Sequence, residues 1–282
     1  PYTTLFRSHQ QQFHPEAELA TALAAEVLES NLILSNFSNT DMRSLKVDNP
    51  YKWFQLYWQG CREKSLTLIK QAEQSGYRAI VITVDAPHVG IRDRERKLFF
   101  QLPEGMQHPH TPTHLSFPDV SPSESQLFQG LMQIAPKWAD IAWVIANTHL
   151  PVILKGILHP ADAQKALDHG VSGIIVSNHG GRIVDTTIPP LIALQKIRAI
   201  VPPDYPVLLD GGIRRGTDVF KAIALGANAV LIGRPYIYGL ATAGALGVAH
   251  VIRMLKEEFE ITMALMGTAT IKDINQDYIY QP

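Results

Sequence analysis

The chain has 282 residues, 46% of them hydrophobic, and a formal net charge of −1, which suits one large α/β domain. Its near-neutral balance gives no footprint for nucleic acid or an anionic membrane surface. Its single cysteine, Cys61, excludes an internal disulfide, and runs such as Ala79 to Val84 and Gly173 to Val176 are too short to span a bilayer.

Pro1 to Ser8 reads PYTTLFRS, the in-frame translation of a common short-read sequencing adapter, so these residues are set aside as foreign to the protein. Residues 9–282 are then expected to form the domain. Helices are expected over Pro15 to Glu29, Arg62 to Ser75, Pro136 to Thr148, Pro160 to His169, Ile188 to Ile200 and Thr217 to Leu225. Strands are expected over Asn31 to Ser35, Trp53 to Trp58, Ala79 to Asp85, Val152 to Gly156, Gly173 to Asn178, Val207 to Gly211 and Ala229 to Gly233. Near-continuous apolar strands alternating with helices imply a parallel sheet covered on both faces. The expected architecture is a (β/α)8 barrel whose first strand is missing from this chain. A doubly wound open sheet would call for Gly-x-Gly-x-x-Gly after its first strand, and none is present.

One stretch breaks the βα rhythm. Residues 101–130 are proline-rich and polar, as expected of a long lid-like loop. The irregular spacing of His108, His110 and His114 suits solvated loop histidines, and no metal is expected.

In an α/β barrel the working residues sit at the C-terminal ends of the strands. Those ends carry Ser35, Gln55 and Tyr57, Thr83 and Asp85, Lys155, Ser177 and His179, Asp210, and Gly233-Arg234. A fold alone needs no ring of polar residues around one mouth. The last two strands close on Asp210-Gly211-Gly212-Ile213-Arg214-Arg215-Gly216 and Ile232-Gly233-Arg234-Pro235. Glycines permit close backbone approach and arginines give bidentate donors, a combination that suits phosphate.

Ser-Asn-His-Gly-Gly-Arg at 177–182, with Asp-Gly-Gly-Ile-Arg-Arg-Gly-Thr-Asp-Val and Ile-Gly-Arg-Pro after it, resembles the FMN-dependent 2-hydroxy-acid oxidase and dehydrogenase family. The resemblance runs from His14-Pro15-Glu16 to a final helix over Glu257 to Met266. It implies FMN as cofactor and oxidation of a small (S)-2-hydroxy acid to the 2-oxo acid, with O2 as acceptor and H2O2 as product. It makes His179 the catalytic base, Asp85 its partner, Tyr57 a hydrogen-bond donor to the substrate, Arg182 the carboxylate anchor, and Arg92 a second arginine on the substrate side. It implies that Ser35, Gln55, Thr83 and Ser177 bond the isoalloxazine edge and that Lys155 sits near its pyrimidine side. Asp210 would meet the ribityl chain, and Gly211, Gly212, Arg214, Gly233 and Arg234 the phosphate. Phe37 stands where glycolate oxidases carry tryptophan, which leaves the particular hydroxy acid open. A dehydrogenase passing electrons to a quinone or cytochrome is the alternative, and a non-catalytic FMN-binding barrel a remote one. The resemblance also implies a homo-oligomer, a tetramer. The chain ends Tyr280-Gln281-Pro282, without a peroxisomal Ser-Lys-Leu-type signal, and a cytoplasmic, soluble protein is expected.

Overall fold

A computed structural model describes residues 3–45, 52–106, 108–110 and 119–280. Eight parallel strands close into a barrel in sequence order. They are β1 (Thr3–Arg7), β2 (Asn31–Ser35), β3 (Lys52–Tyr57), β4 (Ile80–Thr83), β5 (Val152–Ile157), β6 (Gly173–Val176), β7 (Val207–Asp210) and β8 (Ala229–Ile232). The main helices between and after them are α1 (Ala17–Val27), α2 (Arg62–Gln74), α3 (Asp93–Lys97), α4 (Trp138–Asn147), α5 (Pro160–Asp168), α6 (Pro190–Arg198), α7 (Gly216–Ala224) and α8 (Arg234–Leu265).

The first barrel position, expected to be empty, is occupied by residues from the segment set aside as foreign. Thr4 to Arg7 pair with Asn31 to Leu34 on one side, and Thr3 to Leu5 with Val230 to Ile232 on the other. Two open parallel edges would leave a row of unpaired N–H and C=O groups. The backbone pairing of Thr3–Arg7 closes both edges, and the Leu5 side chain is fully buried.

Two apolar layers follow from the period-two alternation of each strand. Outward-facing Leu32, Phe54, Ile80, Leu154, Ile174 and Leu209 join the large core beneath the helices. Inward-facing Ile33, Val81, Ile153, Ile175, Leu208 and Leu231 form a second, smaller core inside the barrel. That core fills the lower barrel, as packed side chains do in this architecture.

Helix ends are set by local chemistry. The Asp140 carboxylate accepts from the Lys137 backbone N–H at 2.9 Å at the start of α4. His159 Nδ1 accepts from Ala161 N–H at 3.1 Å, just ahead of α5 with Pro160 in its first turn. The last helix is far longer than the expected Glu257 to Met266. Its first half buries Tyr236, Ile237 and Leu240, and non-helical angles at Ala243 and Gly244 kink it. By length and composition alone α8 could cross a membrane, unlike the short runs read from the sequence. Its buried side chains Val248, Ile252, Leu255 and Phe259 join the barrel's outer core.

The 101–130 loop is only partly irregular, since a π-helical turn spans Gln126–Gly130 and a 3-10 turn Leu131–Gln133. His110 departs from the solvated reading. It is 4% exposed, its Nε2 accepts from the Met42 N–H at 2.8 Å, and its ring meets Phe54 edge-on. Burial pushes its pKa down, so it stays neutral and able to accept. His110 thus pins the loop to the β2–β3 connection and the outer face of β3. His108 is half-buried with its ring edge-on to His9, and His114 lies outside the described residues. Among the described residues no cluster of three metal-ligating side chains occurs.

Candidate active site

The polar residues at the barrel mouth continue the inward-facing series of the interior core. Two residues beyond Ile33 comes Ser35, beyond Trp53 come Gln55 and Tyr57, and beyond Val81 come Thr83 and Asp85. Lys155 follows Ile153, Ser177 and His179 follow Ile175, and Asp210 follows Leu208. Strand register brings these ends level, pairing Ser35 with Gln55, Tyr57 with Thr83, and Thr83 with Lys155. One alternation therefore yields an apolar floor and a polar rim.

The rim resolves into two hydrogen-bonded sets. On one side Ser8 Oγ donates to Ser35 Oγ at 3.1 Å, Ser35 Oγ to Gln55 Oε1 at 2.5 Å, and Gln55 Nε2 to Thr83 Oγ1 at 2.9 Å. On the other, Lys155 Nζ lies 3.0 Å from Asp210 Oδ2 and donates to Ser177 Oγ at 3.1 Å. Ser177 Oγ donates to Asp210 at 2.6 Å and accepts the His179 backbone N–H at 3.0 Å. Burial opposes both charges of the Lys155–Asp210 pair, but their mutual attraction outweighs it. The lysine is held above its ordinary pKa and the aspartate below its own. In this state Asp210 is thus engaged by Lys155 and Ser177, within the protein.

His179 stands between Asp85 and Tyr57. Its Nδ1 is 3.2 Å from Asp85 Oδ1, and its Nε2 is 3.3 Å from the Tyr57 hydroxyl. A carboxylate oxygen can only accept, which places the imidazole proton on Nδ1 and leaves the Nε2 lone pair, at the barrel mouth, to accept from the Tyr57 hydroxyl. His179 adopts φ 56°, a left-handed conformation in a tight Asn-His-Gly-Gly turn that aims the ring across the barrel. Gly156 makes room for its partner. At φ +107° any Cβ there would sit 2.5 Å from the Asp85 side chain. Burial, with the nearby Asp85 charge, pushes Tyr57 up to about 12, so its hydroxyl stays protonated. Its backbone N–H is fixed by Asn36 Oδ1 at 2.9 Å, and the Phe37 ring lies tilted against its own, with centroids 4.8 Å apart.

Arg92 and Arg182 come from different loops, brought together where Gly90 packs against the backbone of Arg182 and Ile183. A Cβ on Gly90 would lie 2.4 Å from the Arg182 carbonyl oxygen. Both guanidinium groups meet Glu95. Arg92 Nη1 is 3.0 Å from Oε2, and Arg182 Nη2 is 3.2 Å from Oε1.

Beside the rim lies a 360 Å³ cavity lined by Asn178, Gly180, Gly181, Gly211, Gly212, Lys221 and Arg234, among others. Gly181 and Gly212 have positive φ, and a Cβ on either would project into open space. Glycine-edged walls carrying Lys221 and Arg234 form a cradle that fits a phosphate. Arg234 also donates to the Gly180 carbonyl at 3.3 Å, and Gly233 caps α8 beside it. Arg214 does not line this cavity; its side chain is exposed and its backbone N–H donates to Asp218. Asn36, Glu95 and Lys221 lie at the site but outside the roles read from the motifs, and Asn178, inside the 177–182 motif, was given none. Lys221 left a signal of its own, one helical turn past the Asp218 cap.

Comparison with known proteins agrees with this geometry. The sequence profile of FMN-dependent dehydrogenases matches residues 7–281. An L-lactate oxidase of Alicycliphilus denitrificans is 45% identical over 273 residues, covering 96% of this chain and 75% of that protein. Glycolate oxidase of Spinacia oleracea is 38% identical over 278 residues, covering 96% and 74%. A crystal structure of mandelate oxidase with benzoyl-formic acid superposes with a TM-score of 0.87 at 38% identity, covering 98% of this chain and 77% of that one. A closed barrel with a polar rim, a phosphate cradle and a matching profile along almost its whole length make this chain a member of the FMN-dependent dehydrogenase family.

Proposed function

We propose that the protein oxidises a small (S)-2-hydroxy monocarboxylic acid to its 2-oxo acid and passes the electrons to O2, forming H2O2. The observation that carries this reading is the Asp85–His179–Tyr57 array set beside the Arg92–Arg182 pair. A base next to two arginines is what an α-hydroxy carboxylate requires. The arginines bind its carboxylate, and the His179 Nε2 lone pair takes a proton from the hydroxy-bearing end. Asp85 stabilises the imidazolium that results, and Tyr57 offers a hydroxyl proton to the substrate oxygen.

FMN is the cofactor, and when bound it supplies the two-electron acceptor. Ser35, Gln55, Thr83 and Ser177 would hydrogen-bond the ring edge of the bound cofactor, and the buried Lys155 cation would stand near it. Gly211, Gly212, Arg234 and Lys221 would hold the phosphate. The relatives named above as oxidases support O2 as acceptor. Phe37 against Tyr57 gives the pocket an aromatic wall without a donor, which favours a small apolar substituent such as the methyl group of lactate.

A homo-oligomer, as a tetramer, belongs to the same proposal. In its support, α1 leaves Leu19, Leu23 and Val27 at least half exposed at four-residue spacing, a stripe that a second copy would cover. Turnover with a panel of 2-hydroxy acids, followed by oxygen uptake and peroxide release, tests the reaction. Oxygen uptake with peroxide on L-lactate or glycolate supports it. Reduction of a quinone or cytochrome without oxygen uptake would overturn the choice of acceptor.

A further inference from the structure

Glu95 is unexplained by the chemistry above. It is the one residue of α3 that is not exposed. From there it reaches Arg92 Nη1 with Oε2 at 3.0 Å and Arg182 Nη2 with Oε1 at 3.2 Å. Each arginine spends one nitrogen on it and keeps the rest of its fork. Arg92 Nε is buried with no hydrogen-bond partner among the described residues, a donor still available.

A carboxylate inside a carboxylate-binding site looks contrary to its purpose until the charges are summed. Arg92 and Arg182 bring two positive charges, and Glu95 cancels one. Of the charges nearest this corner, Lys155 is matched by Asp210, and Asp85 is set behind neutral His179, accepting from its Nδ1; the anchor itself is the Arg92–Arg182–Glu95 group. Burial opposes ionisation of Glu95, but the Arg92 bond and the charges of both arginines outweigh it, so its carboxyl lies below the usual glutamate value. The anchor therefore carries one net positive charge, which matches one carboxylate.

We propose that Glu95 is a specificity-determining residue: it splints Arg92 and Arg182 side by side and reserves their pair for monocarboxylates, excluding 2-hydroxy dicarboxylates. A second carboxylate on the substrate would meet the Glu95 carboxylate across the same arginines, and like charges at close range in a partly desolvated site repel strongly. The inference rests on the reading of Arg92 and Arg182 as the carboxylate anchors.

The test compares Glu95→Gln, Glu95→Asp and Arg182→Met in FMN-loaded protein, after flavin content and thermal melting show that each is folded. The substrates are L-lactate and tartronate, and oxalate and acetate are titrated by their perturbation of the flavin spectrum. In Glu95→Gln the ratio of kcat/KM for tartronate over lactate is expected to rise about tenfold or more. The change should lie in KM, with anaerobic flavin reduction at saturating lactate within about threefold of the parent, and oxalate should bind tighter relative to acetate. Glu95→Asp keeps the charge and should keep the parental preference. Arg182→Met should weaken all four ligands. An unchanged tartronate preference in Glu95→Gln, with Arg182→Met weakened as expected, overturns the role of Glu95 alone. Equal losses for both acids in Glu95→Gln would make Glu95 a splint without selectivity and also overturn it. Undiminished lactate binding in Arg182→Met would overturn the anchor assignment beneath it.

Discussion

Replacing Asp85 with asparagine removes one charge while leaving a side chain of the same shape beside His179. The parent pair lies at 3.2 Å with both side chains largely buried, at 12% and 15% exposure. At an effective dielectric constant of about 20, a full charge pair at that distance attracts by about 5 kcal/mol. The neutral imidazole of the resting state gains little of this, whereas the imidazolium formed when Nε2 takes a proton gains most of it. An amide oxygen still accepts from Nδ1–H, and a neutral hydrogen bond returns about 1 kcal/mol. The net loss falls on the protonated state and comes to about 3–4 kcal/mol, or about 200- to 1000-fold in rate. Anaerobic stopped-flow reduction of the bound flavin by L-lactate isolates this half of the reaction. Asp85→Asn should reduce the flavin slower by that factor with a nearly unchanged KM. A slowing of less than about tenfold, in protein that binds FMN normally, would refute the view that Asp85 stabilises the charged base.

Two further perturbations probe how the site is held. Gly156→Ala places a methyl group 2.5 Å from the Asp85 side chain at a backbone φ of +107°. It should therefore lower activity at least as much as Asp85→Asn and destabilise the fold by 2 kcal/mol or more, as an order of magnitude; ordinary kinetics and urea unfolding check both. For the buried pair, the depressed Asp210 contributes stability above the unfolded carboxylate value that is lost as pH falls through its lower folded value. The raised Lys155 contributes stability below the unfolded lysine value that is lost as pH rises through its higher folded value. Asp210→Asn should therefore cost about 3–5 kcal/mol across neutral pH, and the gap from the parent should close in strong acid. A cost under 1 kcal/mol by urea unfolding, or one unchanged into strong acid, would contradict this assignment.

Much of the barrel was legible because its strands are buried on both faces. Val152 to Lys155 and Gly173 to Val176 read as short apolar runs between helices, and their starts stand within a residue of expectation. The polar residue closing each run was visible for the same reason: Lys155, Ser177 and Asp210 interrupt an apolar pattern. Four features were not legible. The pairing of Thr3–Arg7 depends on the two edges it closes, β2 and β8, which lie far apart in sequence and offer no local signal. The first half of α8 follows Gly233-Arg234-Pro235, which read as a phosphate loop, whereas Pro235 in fact lies in the helix's first turn. Glu95 sits in a charged run, Asp93-Arg94-Glu95-Arg96-Lys97, that looks solvated throughout. Only the tertiary approach of Arg182 through the Gly90 contact singles it out. His110 was misjudged likewise, because the buried N–H of Met42 that it satisfies comes from another loop.

The central claim is that His179 is the base acting on a hydroxy acid bound by Arg92 and Arg182. His179→Gln keeps a polar side chain at the same turn but offers no group of comparable basicity. FMN-loaded His179→Gln should retain its yellow spectrum and still bind a carboxylate such as oxalate. Anaerobic bleaching by L-lactate or glycolate should slow by at least about a thousandfold, the scale of general-base loss at such a site. Bleaching at the parental rate would contradict the account.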